Sequence, residues 1–129
     1  YGKTGKDGGL TALDNDASTT LLGWSVNSNG KADADFYQLV AAVDILPELN
    51  LSANYVNVDY TSAIDRNTDG DVVGKTSSEE EEIYAQLTYK MSKNLSTYLR
   101  YGTYEEDDTG ANTTVSDQNR GRLQVEYTF

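Results

Sequence analysis

No cysteine and no histidine occurs anywhere in the 129 residues of this chain. Their absence removes thiolate metal sites, disulfides, imidazole bases and the nucleophilic triads that rely on histidine, so no enzymatic activity is expected. Proline is represented by Pro47 alone, and the longest apolar run is "LVAAV" at 39 to 43. A membrane-spanning helix needs roughly 18 apolar residues, and spanning helices are therefore excluded. Positive charge is also scarce: ten lysines and arginines stand against 21 carboxylates, for a net charge of -11. Phosphate backbones are bound by clustered cations, so nucleic acid is not an expected partner.

What the chain has instead is tyrosine, glycine and alternation. Ten tyrosines and eleven glycines accompany two phenylalanines and one tryptophan, and mean hydropathy is -0.61. The last residues, "NRGRLQVEYTF", place Gly121, Leu123, Val125, Tyr127 and Phe129 on one side and Arg122, Gln124, Glu126 and Thr128 on the other. That is the period-2 pattern of a two-faced β-strand. "NLSTYLRYGTY" (94 to 104) and "EIYAQLTYKM" (82 to 91) repeat it. "DFYQLVAAVDI" (35 to 45) is also a strand, with Phe36 and Val40 opposing its apolar face. In "ELNLSANYVNVDY" (48 to 60) the apolar phase shifts from Leu49, Leu51, Ala53 and Tyr55 to Val56, Val58 and Tyr60. Such a shift predicts a β-bulge near Tyr55.

A membrane β-barrel tolerates low hydropathy because its strands need only about 9–11 residues, of which alternate ones face lipid. The pattern predicts an all-β, antiparallel up-and-down transmembrane barrel segment over 1–129. Its strands fall near 1–4, 35–45, 48–60, 82–91, 94–104 and 119–129, and its external loops near 5–34, 61–81 and 105–118. Within the first loop, "STTLLGWSV" (18 to 26) reads as a loop segment. The short links "LPE" (46 to 48) and "SKN" (92 to 94) alternate with the long acidic ones, which hold nearly all the net charge. Short turns on the periplasmic side and long loops outside are the usual arrangement of such barrels. About six strands leave two open edges, which lipid does not tolerate, whereas the smallest membrane barrels have about eight. The expectation is therefore the C-terminal part of a larger barrel of about 16–18 strands.

The ending "LQVEYTF", with Phe129, Tyr127, Val125 and Leu123 at alternate positions, resembles the C-terminal signal read by the outer-membrane assembly machinery. Together with "KTGKDG" (3 to 8) and the tyrosine-rich strands, it resembles the last third of the porins that include the Campylobacter-type major outer membrane protein and the related OprD-type channels. The resemblance implies a passive channel for ions and small hydrophilic solutes in the bacterial outer membrane. It also implies a homotrimer in contact with lipid and with the assembly machinery.

On this reading Arg100 and Arg122 face the lumen of neighbouring strands, roughly 15 Å above the periplasmic rim. Guanidinium groups stay charged at any working pH, and a pair of them forms a basic wall that can order anions or water. Lys90 extends that wall, Glu126 and Gln86 complement it, and Tyr98 fills space beside it. The competing reading has these arginines paired with lumen carboxylates as plain scaffolding. The acidic loops would draw cations to the mouth. Asp65, Asn67, Asp69 and Asp71 follow the start of a calcium-loop pattern, but position 12 is Thr76 and no helices flank it. An Asx/Gly turn is the plainer reading; no cofactor is expected beyond weakly held Ca2+ in that loop. Two other classes fit the same strands: a non-channel barrel whose acidic loops bind a partner, and a soluble or fibre-forming β-domain whose apolar faces pack on each other.

Overall fold

The structure, a computed structural model, describes residues 1–3, 23–27, 31–66, 72–109 and 112–129; of residues 32, 62–66 and 72–75 it describes the backbone. These residues form β1 (Gly2–Lys3), β2 (Ala32–Leu46), β3 (Leu49–Arg66), β4 (Val72–Lys90), β5 (Leu95–Asp108) and β6 (Thr113–Tyr127). They make one sheet in chain order, every neighbouring pair antiparallel. This is the up-and-down arrangement of a partial β-barrel.

The register puts all even-numbered positions of β2 to β6 on one face over the central rows. One row reads Ala42, Ser52, Gln86, Arg100, Arg122; the next towards the β3–β4 end reads Val40, Asn54, Tyr84, Gly102, Arg120. Odd positions make the opposite face: Leu39, Tyr55, Ile83, Thr103, then Val43, Leu51, Leu87, Leu99, Leu123. Among the described residues nothing packs over the aliphatic side chains of this face, and Leu39 and Leu123 are 68% and 72% exposed. From Leu95 to Thr103 the bare apolar band is roughly 20 Å tall at the strand rise and tilt of a barrel, close to the height of a bilayer's lipid-facing belt. Aromatic rings border it. Tyr127 and Phe129 meet edge to face at 5.4 Å at one end, and Tyr1 and Tyr37 pack at 5.0 Å at the other.

Three expectations are corrected. The strands run well beyond their predicted ends: β4 and β5 stay in unbroken register from Lys90 opposite Ser96 to Ser78 opposite Asp108. Ladder hydrogen bonds do not depend on side-chain charge, and the acids find donors. The Tyr55 hydroxyl donates to Glu81 and the Asn57 amide to Glu79. The 105–118 region accordingly holds a strand end and a strand start; beside them Thr109 donates to the Ser77 carbonyl and Asn112 takes a left-handed φ of 51°. Asparagine tolerates that conformation better than most residues. β1 ends at Lys3 and β2 begins at Ala32, and most of the predicted 5–34 loop lies outside the described residues.

Nor is there a bulge at Tyr55. Pairing of β3 with both neighbours is continuous through it, and irregularities lie elsewhere, at Ala32/Asp35, Asp44/Leu46, Ala63 to Arg66 and Glu106/Asp107. The apolar phase shifts because Val56 and Val58 sit on the even face, inside a small buried cluster with Val26, Ala34 and Phe36. Each such side chain buried from water contributes roughly 1.5–3 kcal/mol.

Candidate functional site

The even face carries the polar chemistry, and residues 23–27 lie across it. Arg100 and Arg122 are direct partners across β5 and β6. Like charges placed opposite each other in a sheet repel, so this pairing costs stability unless something compensates. For Arg100 the compensation is visible. Nε and one terminal nitrogen donate to the Gln86 side-chain oxygen at 2.9 and 2.6 Å, and the rings of Trp24, Tyr84 and Tyr98 stand 4.8 to 5.3 Å away. Arg122 has the Trp24 ring at 5.7 Å. Among the described residues neither arginine forms an ion pair; the two such pairs are Lys3–Asp35 and Lys31–Glu80.

The other sequence-predicted residues fall around this pair. Gln86 and Tyr98 are part of the arginine surroundings, Tyr98 donating its hydroxyl to Gln124 at 2.6 Å. Lys90 and Glu126 both lie opposite Ser96 in one row nearer the short turns, without an ion pair between them among the described residues. Arg120, one row beyond Arg122 along β6, packs over Tyr104 at 4.6 Å, donates to Gln118 and reaches Ser25. Phe129, Tyr127, Val125 and Leu123 all lie exposed along the terminal strand and its end. Thr128 N–H donates to the Asn94 carbonyl and the Asn94 amide to the Thr128 carbonyl, tying that end to the β4–β5 turn. Of the proposed calcium ligands, Asn67, Asp69 and Asp71 lie outside the described residues, and of Asp65 only the backbone, paired with Gly74, is described.

Two features were missed by sequence reasoning. The first is the burial of Glu82, which the alternation places on the inward face of the 82–91 strand as a lumen acid complementing the basic wall. Glu82 is 1% exposed and accepts the backbone N–H groups of Ser25 and Val26 at 3.0 and 3.4 Å. Its even position in an alternating strand was the available signal; the partner, remote in sequence, was not. The second is the placement of the remaining acids. Glu79, Glu81, Glu105, Asp107 and Asp117 are on the odd face, in the rows directly above the apolar band. There the Asp107 charge chiefly, with slight desolvation and the Asp117 and Glu81 charges behind it, holds the exposed Glu105 carboxyl above its ordinary pKa. Glu80 and Glu106 are on the even face, with Lys31 on Glu80.

An antiparallel sheet with a bare apolar band on one face, aromatic borders, and arginines on the other face defines an outer-membrane β-barrel protein. The chain belongs to the Gram-negative porin family, whose model matches residues 2–109. It is thus a protein of the bacterial outer membrane. No curated protein and no solved structure matches it. The matched span holds Arg100, Gln86, Tyr98 and Lys90 and stops before Arg120, Arg122 and Phe129.

Proposed function

We propose that the chain forms part of the wall of a passive diffusion channel for ions and small hydrophilic solutes, with its even face towards the lumen. The observation that carries this is the Arg100–Arg122 pair, a like-charged couple on the face opposite the apolar band, with no carboxylate bound to either among the described residues. A scaffold would pair these charges with acids. A pore leaves them to solute and water. Arg120 and Lys90 extend the basic surface. Glu80 and Glu106, towards the β3–β4 end, favour cations at that mouth, so cation preference at entry is the expected net behaviour. Among the described residues β1 and β6 have no strand on their outer edges, in keeping with a larger barrel. Assembly as a homotrimer, and a place in the Campylobacter-type and OprD-type branch, belong to the same proposal and rest on "KTGKDG" and "NRGRLQVEYTF".

Single-channel recording of the membrane-extracted protein in a planar bilayer, under a tenfold salt gradient, tests this reading. Stepwise conductance with a cation-side zero-current potential is expected; silence from correctly inserted protein sinks the channel and favours a structural or adhesive barrel. Recognition by the assembly machinery has its own test. Removing Phe129, whose ring packs only on Tyr127 among the ring contacts described, is expected to leave the fold's interior untouched yet sharply lower the amount of heat-modifiable protein in the outer membrane. Unchanged levels would exclude a role for Phe129 as a recognition residue.

A further inference from the structure

We propose that Glu82 is the positioning residue for the segment Gly23–Asn27, and that Trp24, held there by it, sets the ionic preference of the lumen. This inference rests on the channel reading above and assigns the control of selectivity to side chains outside the strands' own basic row.

The segment is fixed from four strands at once, β2 contributing Phe36. From β4, one oxygen of the buried Glu82 carboxylate takes the Ser25 and Val26 N–H groups. From β3, Val56 and Val58 bury Val26 completely, together with Phe36. From β6, Arg120 donates to the Ser25 hydroxyl. The segment closes on itself through Gly23 N–H to the Val26 carbonyl at 2.8 Å. A Cβ at position 23 would stand 2.3 Å from the Glu82 oxygen and 3.1 Å from Val56, so a larger residue there would displace the carboxylate from the segment. A charged acceptor with two backbone donors makes stronger hydrogen bonds than a neutral one, and here it is shielded from water. The other Glu82 oxygen has no partner among the described residues. A carboxylate buried with one oxygen idle is poorly placed for mere wall packing. It is well placed to hold two converging N–H groups.

The result is that the Trp24 indole is held edge-on to Tyr84 at 6.1 Å, with Arg100 at 5.2 Å and Arg122 at 5.7 Å. An aromatic ring over a guanidinium satisfies part of its charge and displaces water and anions from that side. Trp24 thus screens both arginines and narrows the space in front of them. Glu82 adds one negative charge close by. Both effects disfavour anions, and both depend on the segment staying in place.

Trp24 is the one tryptophan of the chain, which supplies a readout independent of conduction. The test compares the intact protein with Trp24→Ala, Trp24→Phe, Glu82→Ala and Glu82→Gln in bilayers under a KCl gradient. It also follows the fluorescence that Trp24→Phe removes. Expected are higher conductance and an anion-ward shift of the zero-current potential for Trp24→Ala, with a smaller change for Trp24→Phe. Glu82→Ala should give the same shift and a red-shifted, iodide-quenchable Trp24 emission. Glu82→Gln keeps an acceptor oxygen, so its emission should stay as in the parent and only the charge part of the shift should remain. If Glu82→Ala fails to insert, Glu82→Gln and the Trp24 variants carry the decision. A conducting parent whose Trp24→Ala variant has the same conductance and zero-current potential overturns the role of Trp24. Emission unchanged in a folded Glu82→Ala, or released equally in Glu82→Gln, overturns that of Glu82. A silent parent with the expected fluorescence changes would instead remove the channel reading and leave the anchoring intact.

Discussion

Replacing Arg100 and Arg122 together by glutamate is expected to raise cation permeability and lower anion permeability, each by about an order of magnitude, at moderate salt. An ion passing roughly 7 Å from each guanidinium in an aqueous pore feels about 0.6 kcal/mol per unit charge at ε near 80. Reversing two charges therefore changes its energy by about 2.4 kcal/mol, and screening at ~0.1 M ionic strength halves this, which leaves close to a tenfold effect. The two substitutions should not contribute equally. Arg100 is held by Gln86 and three rings, and its loss also frees Gln86, Trp24 and Tyr84. Arg122 is exposed with the Trp24 ring beside it among the described residues, so Arg122→Glu alone should shift selectivity with little effect on stability. The check is the zero-current potential under a salt gradient at two ionic strengths, where the effect must shrink as salt rises. A salt-independent shift, or none, would mean that ions do not pass in front of this row.

The second large effect is structural and lies at Gly102. This residue stands opposite Tyr84 in the middle of the β4–β5 ladder, on the buried side of the sheet. A Cβ there would come within 2.3 Å of the Ile83 carbonyl oxygen, 2.4 Å of Tyr84 Cβ and 2.8 Å of Tyr84 Cα. Two of those atoms are backbone, which no rotamer change can move aside. Forcing extra volume into a packed site costs about 1–3 kcal/mol, more when the backbone must shift, so Gly102→Leu should abolish the folded, heat-modifiable form. Gly121 is the control, since its added Cβ would meet only the Tyr101 ring at 3.8 Å, an ordinary contact. Gly121→Ala should fold as the parent does. Equal folding of both variants would show that β4 and β5 do not share this register.

How much of this could be read in advance differs between the strands and what covers them. The alternation in 82–91, 94–104 and 119–129 placed three strands and their faces, because a side chain's face in a β-strand depends only on parity. It also put Arg100 and Arg122 on one side, and the ladder then makes them neighbours in one row. The same reasoning failed at Tyr55, where Val56 and Val58 were taken to mark a bulge. Period-2 logic assumes one apolar face and one wet face. The segment at 23–27 gives the wet face a small dry patch, and two inward valines then imitate a shift in register.

Charge misled in a similar way. The acids at 79–81 and 105–108 were read as loop because carboxylates are solvated, yet Glu79 to Glu81 and Glu105 to Asp108 are paired strand. The strand ladder is a backbone property, and above a lipid-facing band both faces of a strand can be polar without penalty.

Sequence alone determined the strands whose parity separates an apolar side from a charged one, the lack of histidine and cysteine, and the lack of any apolar run long enough for a spanning helix. Those are local properties, set by residue type and by the two-residue repeat. The tertiary structure decided which acid is buried, which glycine admits no side chain, and that Trp24 faces two arginines some 76 and 98 residues further along the chain. Contacts of that reach depend on how strands register and on where a connecting segment lies across them, and no local pattern in a single chain encodes either.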